Sequence, residues 1–299
     1  MPTETLRFPA LDGRPLAATI HSPEGPPRAV LVLLGALGVP RRFYAAFAGW
    51  MAARGVAVLS FDYRGCGESR SVPLRGDPAT LLDWARLDTS AAIDLAQDRW
   101  PGLPVWALGH SFGGQAIGLS PRGLDLAGAV VVAAGSGDLA LHTPRMRRAL
   151  RVQFGVVVPA VAAVLGYIPG RLGLGEDLPR GVVSQWARWA FTPDYVRGAL
   201  GLDATHFHRI EAPMWFFDIS DDTYAPARPS AALRGWYSRA RQVHRTLRPQ
   251  ELGRASVGHF GCFRRGVGEV LWGEVLAAVT GEPAGRGIVD EAAAVPGHV

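Results

Sequence analysis

The sequence contains no lysine, and all 31 of its lysine-or-arginine positions are therefore arginines, set against 26 acidic residues. Proteins that bind nucleic acids gather their basic residues on one face or along one helix. Here the arginines are scattered, except in the two short runs "PRMRRALR" at 144–151 and "RARQVHR" at 239–245. The net charge of +5 therefore reflects overall composition, and we expect no nucleic-acid partner.

Cysteine is also scarce, since only Cys66 and Cys262 are present in 299 residues. Two cysteines do not make a disulfide framework in a chain of this length, and reduced thiols are typical of cytoplasmic proteins. The N-terminal stretch "MPTETLRFPALDGR" lacks the apolar segment of a secretory signal. These features predict a cytoplasmic protein, and the spacing of the two cysteines does not show whether they interact.

The sequence has few long apolar runs, and only "FGVVVPAVAAVLGYI" at 154–168 requires a membrane test. A spanning helix needs about 20 apolar residues, whereas this run is shorter and contains a proline. It predicts a buried or substrate-facing helix and no stable membrane insertion.

The apolar segments alternate as strands and helices, a pattern typical of a mostly parallel sheet with helices on both faces. Six strands are predicted up to "LAGAVVVAAG" at 126–135, and the next, "PMWFFDIS" at 213–220, begins almost eighty residues later. Because a parallel crossover needs far fewer residues, we predict a helical cap inserted after the sixth strand. The predicted boundaries are 1–136 and 211–281 for the two parts of the core, 137–210 for the cap, and 282–299 for a disordered tail.

The sequence Gly109-His110-Ser111-Phe112-Gly113 has the pattern G-x-S-x-G and lies between a predicted strand and a predicted helix. In that position the motif indicates a nucleophilic serine on a sharp turn, with small neighbours that leave room for it. The amide of Phe112 would lie at a helix N-terminus, where unpaired N–H groups stabilise negative charge. His110 is predicted to pack beneath this turn.

A serine becomes a nucleophile only when a base removes its proton and an acid orients that base. In this architecture the acid and then the histidine follow the serine in the chain. Asp221 and Asp222 follow the strand at 213–220, and His259 lies in a glycine-rich loop before the last helix. All three groups therefore fall at the carboxyl ends of parallel strands, where ligands bind in open sheets.

The motifs "LLGALG", "FDYRGCGES", "GHSFGG", "DISDDTYAP" and "GHFG" occur in the order expected of the α/β-hydrolase superfamily. Over about residues 5–280 the chain resembles its branch of monoacylglycerol-lipase-like and serine-aminopeptidase-like hydrolases. The resemblance implies Ser111 as nucleophile, His259 as base and Asp222, rather than Asp221, as acid. It also implies an oxyanion hole formed by the amides of Phe112 and Ala36, or Leu37 if the register shifts by one.

These inferences predict a serine hydrolase that cleaves a small carboxylic ester, with an apolar acyl or aromatic group, through an acyl-serine and without metal or cofactor. The apolar run "VVVPAVAAVLGYI" at 156–168, Trp186 and Trp189 are predicted to line the cap. An amidase, an aminopeptidase and a thioesterase could use the same residues, as could a binding protein without turnover. An aminopeptidase would need an acidic group in the cap, and Glu176 and Asp177 are the candidates. The sequence leaves the oligomeric state undetermined.

Overall fold

The computed structural model describes residues 2–173 and 175–282. Within them the strands, β1 to β10 in chain order, are Thr3–Pro9, Pro15–His21, Ala29–Leu34, Val56–Phe61, Val105–His110, Gly128–Val132, Tyr167–Ile168, Leu178–Pro179, Met214–Ile219 and Gln242–Leu247. The α-helices, α1 to α10, are Ala45–Ala52, Leu81–Asp83, Thr89–Arg99, Phe112–Leu119, Pro144–Val152, Val158–Leu165, Arg180–Ala190, Tyr195–Leu200, Ala227–Trp236 and Glu269–Thr280.

Eight of these strands form one twisted sheet in the order β1-β2-β4-β3-β5-β6-β9-β10. The hairpin β1–β2 and the pair β2–β4 are antiparallel, and the other five pairs are parallel. The predicted fold class, a mostly parallel sheet flanked by helices, is therefore confirmed.

Strand β3 shows why the central strands are continuous apolar runs, since all six of its residues are buried. Successive side chains of a strand point to opposite faces of the sheet. Val30 and Val32 pack in a cluster with residues of α3 and α4, whereas Leu31 and Leu33 pack with α1 and α10 on the other face. Helices cover both faces of this strand. A polar side chain at any of its positions would lose its hydration, and the strand is therefore apolar throughout.

One strand near the C-terminus begins earlier than predicted. The expected strand at 245–251 is β10, Gln242–Leu247, and it is followed by a 3-10 turn at Pro249–Leu252. Pro249 has no N–H to donate to a strand partner, so the strand ends before it. Glu282, the first residue of the predicted tail, forms an ion pair with Arg28. Residues 283–299, the rest of that tail, lie outside the described part of the chain.

Between β6 and β9 the chain forms helices α5 to α8 and the short hairpin β7–β8. The predicted helical cap after the sixth strand is present, and its boundaries at 137 and 210 stay predictions. Helices α5 and α6 are joined through a π-helical turn at Gln153–Val157 into one 22-residue helix, Pro144–Leu165.

This long cap helix corrects the prediction for residues 154–168. It begins ten residues earlier than the apolar run and is long and apolar enough to cross a membrane by length and composition. Only 17% of its most apolar 18-residue segment is buried. The helix that we expected to be buried or substrate-facing therefore has only one buried face, on which Phe154, Val158 and Ala162 lie.

Candidate active site

Ser111 lies on the sharp turn between β5 and α4, as the motif predicts. Its backbone angles are φ 55° and ψ −115°, a combination that side-chain-bearing residues rarely adopt. Backbone strain of this kind is found where a fold fixes a functional side chain. The amide of Phe112 opens α4, and a first-turn amide has no acceptor within its own helix.

The two glycines of the motif are required by close backbone contacts. A Cβ on Gly109 would lie 2.4 Å from the carbonyl carbon of Gly113, and a Cβ on Gly113 would lie 2.0 Å from the carbonyl oxygen of Leu34. Neither position has space for any side chain. The second contact also places the end of β3, where the predicted oxyanion loop begins, directly against the turn.

His259 and Asp222 are hydrogen-bonded, with 2.7 Å between Nδ1 of the imidazole and Oδ2 of the carboxylate. Both side chains are buried. The other oxygen of Asp222 accepts the amides of Tyr224 and Ala225 at 2.7 and 3.1 Å, and the carboxylate is therefore held in one orientation.

Asp221 has a different position and different partners. Its carboxylate accepts hydrogen bonds from the hydroxyl of Ser256 at 2.7 Å and from the amides of Val257 and Gly258 at 2.9 and 3.0 Å. Burial raises the pKa of Asp221, but these hydrogen bonds outweigh it and leave the pKa below its usual value. Asp221 therefore braces the loop that carries His259, and of the two aspartates Asp222 is the one hydrogen-bonded to the imidazole.

Ser111 and His259 both line one cavity between the core and the cap. The bond to Asp222 occupies Nδ1 of His259, and no hydrogen bond within residues 2–173 and 175–282 uses its Nε2. No described hydrogen bond joins this nitrogen to the hydroxyl of Ser111. Such contacts are often long before substrate binds.

The structure changes the preference for the second oxyanion donor. The amide of Ala36 donates to the hydroxyl of Tyr44 at 2.9 Å and is therefore already engaged. The Leu37 amide takes part in no hydrogen bond among the described residues, and Leu37 lines the same cavity. Of the two amides that the sequence left open, that of Leu37 is the one without a hydrogen bond in the described part of the chain, and the assignment of the donor stays a prediction.

Tyr44 belongs to a hydrogen-bond chain that the sequence did not reveal. Its hydroxyl lies 2.8 Å from Nδ1 of His110, and Nε2 of His110 lies 2.9 Å from the carbonyl oxygen of His259. A carbonyl only accepts, so Nε2 carries the proton of His110 and the Tyr44 hydroxyl donates to Nδ1. This chain links the backbone at Ala36 to the backbone of the catalytic histidine candidate.

Burial, together with the nearby His259, holds the pKa of His110 well below its ordinary value, and the imidazole stays neutral. Burial likewise raises the pKa of Tyr44, so its hydroxyl keeps its proton. Both groups therefore hold the protonation states that the chain requires. His110 does lie beneath the turn, but with a specific bonding role that the predicted packing position did not include.

The cavity has a volume of about 520 Å³, a size that suits a small organic molecule. Met146, Leu150, Phe154 and Trp186 form part of its cap wall, and Ala36, Leu37, Phe112 and Tyr224 part of its core wall. Among the described lining residues there is no aspartate, glutamate or arginine. The bound part of a substrate therefore meets a mostly apolar and uncharged surface.

The family model described as "Serine aminopeptidase, S33" matches residues 25–175, which is half of the chain. The chain belongs to this family. No curated protein matches it in sequence.

Solved structures resemble nearly the whole chain in fold. A thermostable carboxyl esterase from Bacillus coagulans is 14% identical with a TM-score of 0.65, over 94% of this chain and 99% of the esterase. A soluble variant of monoglyceride lipase from Saccharomyces cerevisiae is 14% identical with a TM-score of 0.64, over 93% of this chain and 94% of the lipase. At these identities the likeness establishes the α/β-hydrolase fold.

Three residues that the sequence suggested for the cap of this S33-family chain, namely Glu176, Asp177 and Trp189, do not line the cavity. Glu176 accepts the Gly67 amide at 2.7 Å and pairs with Arg42 at 3.0 Å, and Asp177 accepts the Gly170 amide at 2.8 Å. Trp189 is buried against Tyr195 and does not line the cavity, in contrast to Trp186. Residues 156–168 are also absent from the described lining, which corrects the predicted cap wall.

The two cysteines are buried, and His206 contacts a neighbouring arginine. Cys66 and Cys262 are free, buried thiols, and burial raises the pKa of Cys262 to about 12. No group of three or more histidine, cysteine, aspartate or glutamate side chains that could hold a metal ion occurs in the described part of the chain. Nδ1 of His206 lies 3.3 Å from the guanidinium of Arg209.

Proposed function

We propose that this α/β-hydrolase cleaves carboxylic esters through an acyl-serine formed on Ser111. The observation that carries the proposal is the hydrogen bond of 2.7 Å between His259 and Asp222, since His259 lines the same cavity as Ser111, a strained serine at a helix N-terminus. An oriented imidazole that shares a cavity with a serine hydroxyl and with free backbone amides supports acyl transfer, which requires a base, a nucleophile and donors to an oxyanion.

In the first half-reaction, Ser111 Oγ attacks the acyl carbon while Nε2 of His259 takes the hydroxyl proton. The amides of Phe112 and Leu37 then stabilise the oxyanion, each by about 3–4 kcal/mol of barrier. The ester C–O bond breaks, and His259 returns the proton to the departing alcohol. Asp222 stabilises the imidazolium and keeps Nδ1–H directed away from the serine.

In the second half-reaction, water attacks the acyl-serine and His259 accepts one of its protons. The same two amides stabilise the new oxyanion. The bond from the acyl carbon to Ser111 Oγ breaks, the acid leaves, and His259 returns the proton to the serine. The two half-reactions account for every proton and every bonding electron pair without a metal or cofactor.

The lining of the cavity favours esters over peptides. An aminopeptidase must bind a charged substrate amine, for which a buried carboxylate is the usual partner. The described lining holds none, and the candidate acids Glu176 and Asp177 are bonded to other groups. The apolar side chains of Leu150, Phe154 and Trp186 support an apolar acyl or aromatic group.

A panel of p-nitrophenyl esters of increasing acyl length, compared with aminoacyl p-nitroanilides, tests this proposal. We expect ester hydrolysis that exceeds anilide hydrolysis and disappears in Ser111→Ala. Faster cleavage of the anilides would show a peptidase instead. A folded protein without turnover on either class, and without reaction at Ser111, would show the non-catalytic binding protein.

A further inference from the structure

The outer face of the cap helix Pro144–Leu165 is an exposed apolar stripe. Successive exposed residues follow helical spacing, and they are Ala149, Val152, Gly155, Val156, Pro159, Ala160, Ala163 and Val164. Val152, Val156 and Val164 are 53, 62 and 71% exposed. A contiguous apolar face on a helix that already has a buried face marks an interaction surface.

Phe191 extends this stripe sideways. Its side chain is 47% exposed, and a Cβ on Gly155 would lie 3.6 Å from its ring. The missing side chain at Gly155 therefore leaves room for an aromatic ring beside the stripe at this position. Large exposed aromatic side chains beside aliphatic ones are typical of surfaces that enter a lipid interface.

The N-terminal end of the same helix carries a concentrated positive charge. Arg145, Arg147, Arg148 and Arg151 fall within seven residues, and no ion pair or side-chain hydrogen bond within the described chain involves any of them. Some other arginines of the protein are ion-paired, for example Arg41 with Asp62 and Arg64 with Asp88. Unpaired arginines beside an apolar stripe are complementary to anionic headgroups above acyl chains.

The inner face of this helix borders the substrate cavity. Met146, Leu150, Gln153 and Phe154 line the cavity, one helix diameter from the exposed stripe. A surface on which the stripe rests would therefore lie next to the cap wall of the cavity.

We propose that the outer face of helix Pro144–Leu165 docks the protein on the surface of a bilayer that contains anionic phospholipid. The helix lies in the interface with its stripe in the acyl region and its four arginines among the headgroups. It does not cross the bilayer, because its inner face is packed on the protein and the arginines occupy its first turns. The binding requires only this helix and does not depend on the proposed esterase activity.

Co-sedimentation with vesicles tests the proposal, with the full chain in its Ser111→Ala form so that no lipid is consumed. Phosphatidylcholine vesicles with phosphatidylglycerol are compared with pure phosphatidylcholine vesicles. We expect binding to the anionic vesicles that weakens about fivefold for each of Arg145, Arg147, Arg148 and Arg151 changed to glutamine. Val156→Ser and Val164→Ser should each weaken it by up to about tenfold.

Matched controls lie on the core. Arg264 and Arg265 are exposed, and their changes to glutamine should leave vesicle binding unaltered, as should Leu11→Ser and Val270→Ser. The proposal is wrong if the unchanged surface does not bind anionic vesicles, or if the cap and core variants lose binding equally. It is also overturned if the protein is a dimer that Val156→Ser dissociates and that ignores vesicles, since the stripe would then bind a second copy.

Discussion

The two walls of the substrate cavity are built in different ways. On the core wall the groups that we propose to react are held by backbone: a strained turn at Ser111, amides at Leu37 and Phe112, and a loop braced by Asp221. On the cap wall, ordinary helical side chains such as Leu150 and Trp186 contribute surface without hydrogen bonds to the core groups. Under the proposed function, this contrast leads us to infer that the core determines the reaction and that the cap determines which molecules reach it.

This contrast also explains what the sequence could predict. The position of Ser111 follows from local requirements, because a Cβ on Gly109 or Gly113 would lie within 2.4 Å of backbone atoms. Such requirements appear as residue types at fixed spacing. The central strands are equally predictable from the sequence, since burial on both faces requires continuous apolar residues.

The outcomes that depend on long-range contacts were not predictable in the same way. Tyr44 lies in an apolar helical stretch and has no motif around it, and its partner His110 is 66 residues away. The engagement of the Ala36 amide follows only from that contact. The exposed face of the cap helix was missed for a related reason, because apolar composition does not indicate which face another element covers.

The sharpest test of the core wall compares the two adjacent aspartates. Asp222→Asn should lower kcat by about 10⁴-fold, because the amide would favour the wrong tautomer of His259. Asp221→Asn should lower it by less than about tenfold, since only the bracing of the loop weakens. Steady-state ester hydrolysis by both folded variants measures the difference, and equal losses would contradict the separate roles.

Tyr44→Phe should have the next largest effect. It leaves the amide of Ala36 and Nδ1 of His110 buried without partners. Leaving a buried polar group without a partner costs about 1–3 kcal/mol of free energy. We expect kcat to fall by roughly 10- to 100-fold with little change in KM, since no apolar contact with substrate is removed. Phe43→Leu, at the neighbouring position, is the control. A rise in KM alone would show that Tyr44 shapes the cavity and does not position the oxyanion loop.

A cap substitution should change selectivity more than rate. Trp186→Ala removes a ring that packs at 4.7 Å from Phe154 in the cap wall, and it should shift preference toward longer acyl chains by several-fold. Phe191→Ala, on the outer side of the cap, should leave the ranking of esters unchanged. Ratios of kcat/KM across acyl lengths give the answer. An unchanged ranking in Trp186→Ala would place acyl selectivity in the core.

The smallest effect concerns acid stability. The lowered pKa of Asp221 means that its stabilising contribution is complete above the unfolded-state value of about 3.9 and is lost as pH falls through the folded value. The difference in Tm between the protein and its Asp221→Asn variant should therefore be constant near neutrality and shrink in acid. A difference that persists at low pH would mean that the charge of Asp221 does not brace the loop.

Covalent labelling with a fluorophosphonate tests most directly whether Ser111 is a nucleophile activated by His259. Mass spectrometry of the digested protein should locate a single adduct on the peptide that contains Ser111. The rate of labelling should fall at least about a thousandfold in His259→Ala, because the hydroxyl then lacks its base. An adduct on another residue, or labelling that is equally fast in His259→Ala, would contradict the account.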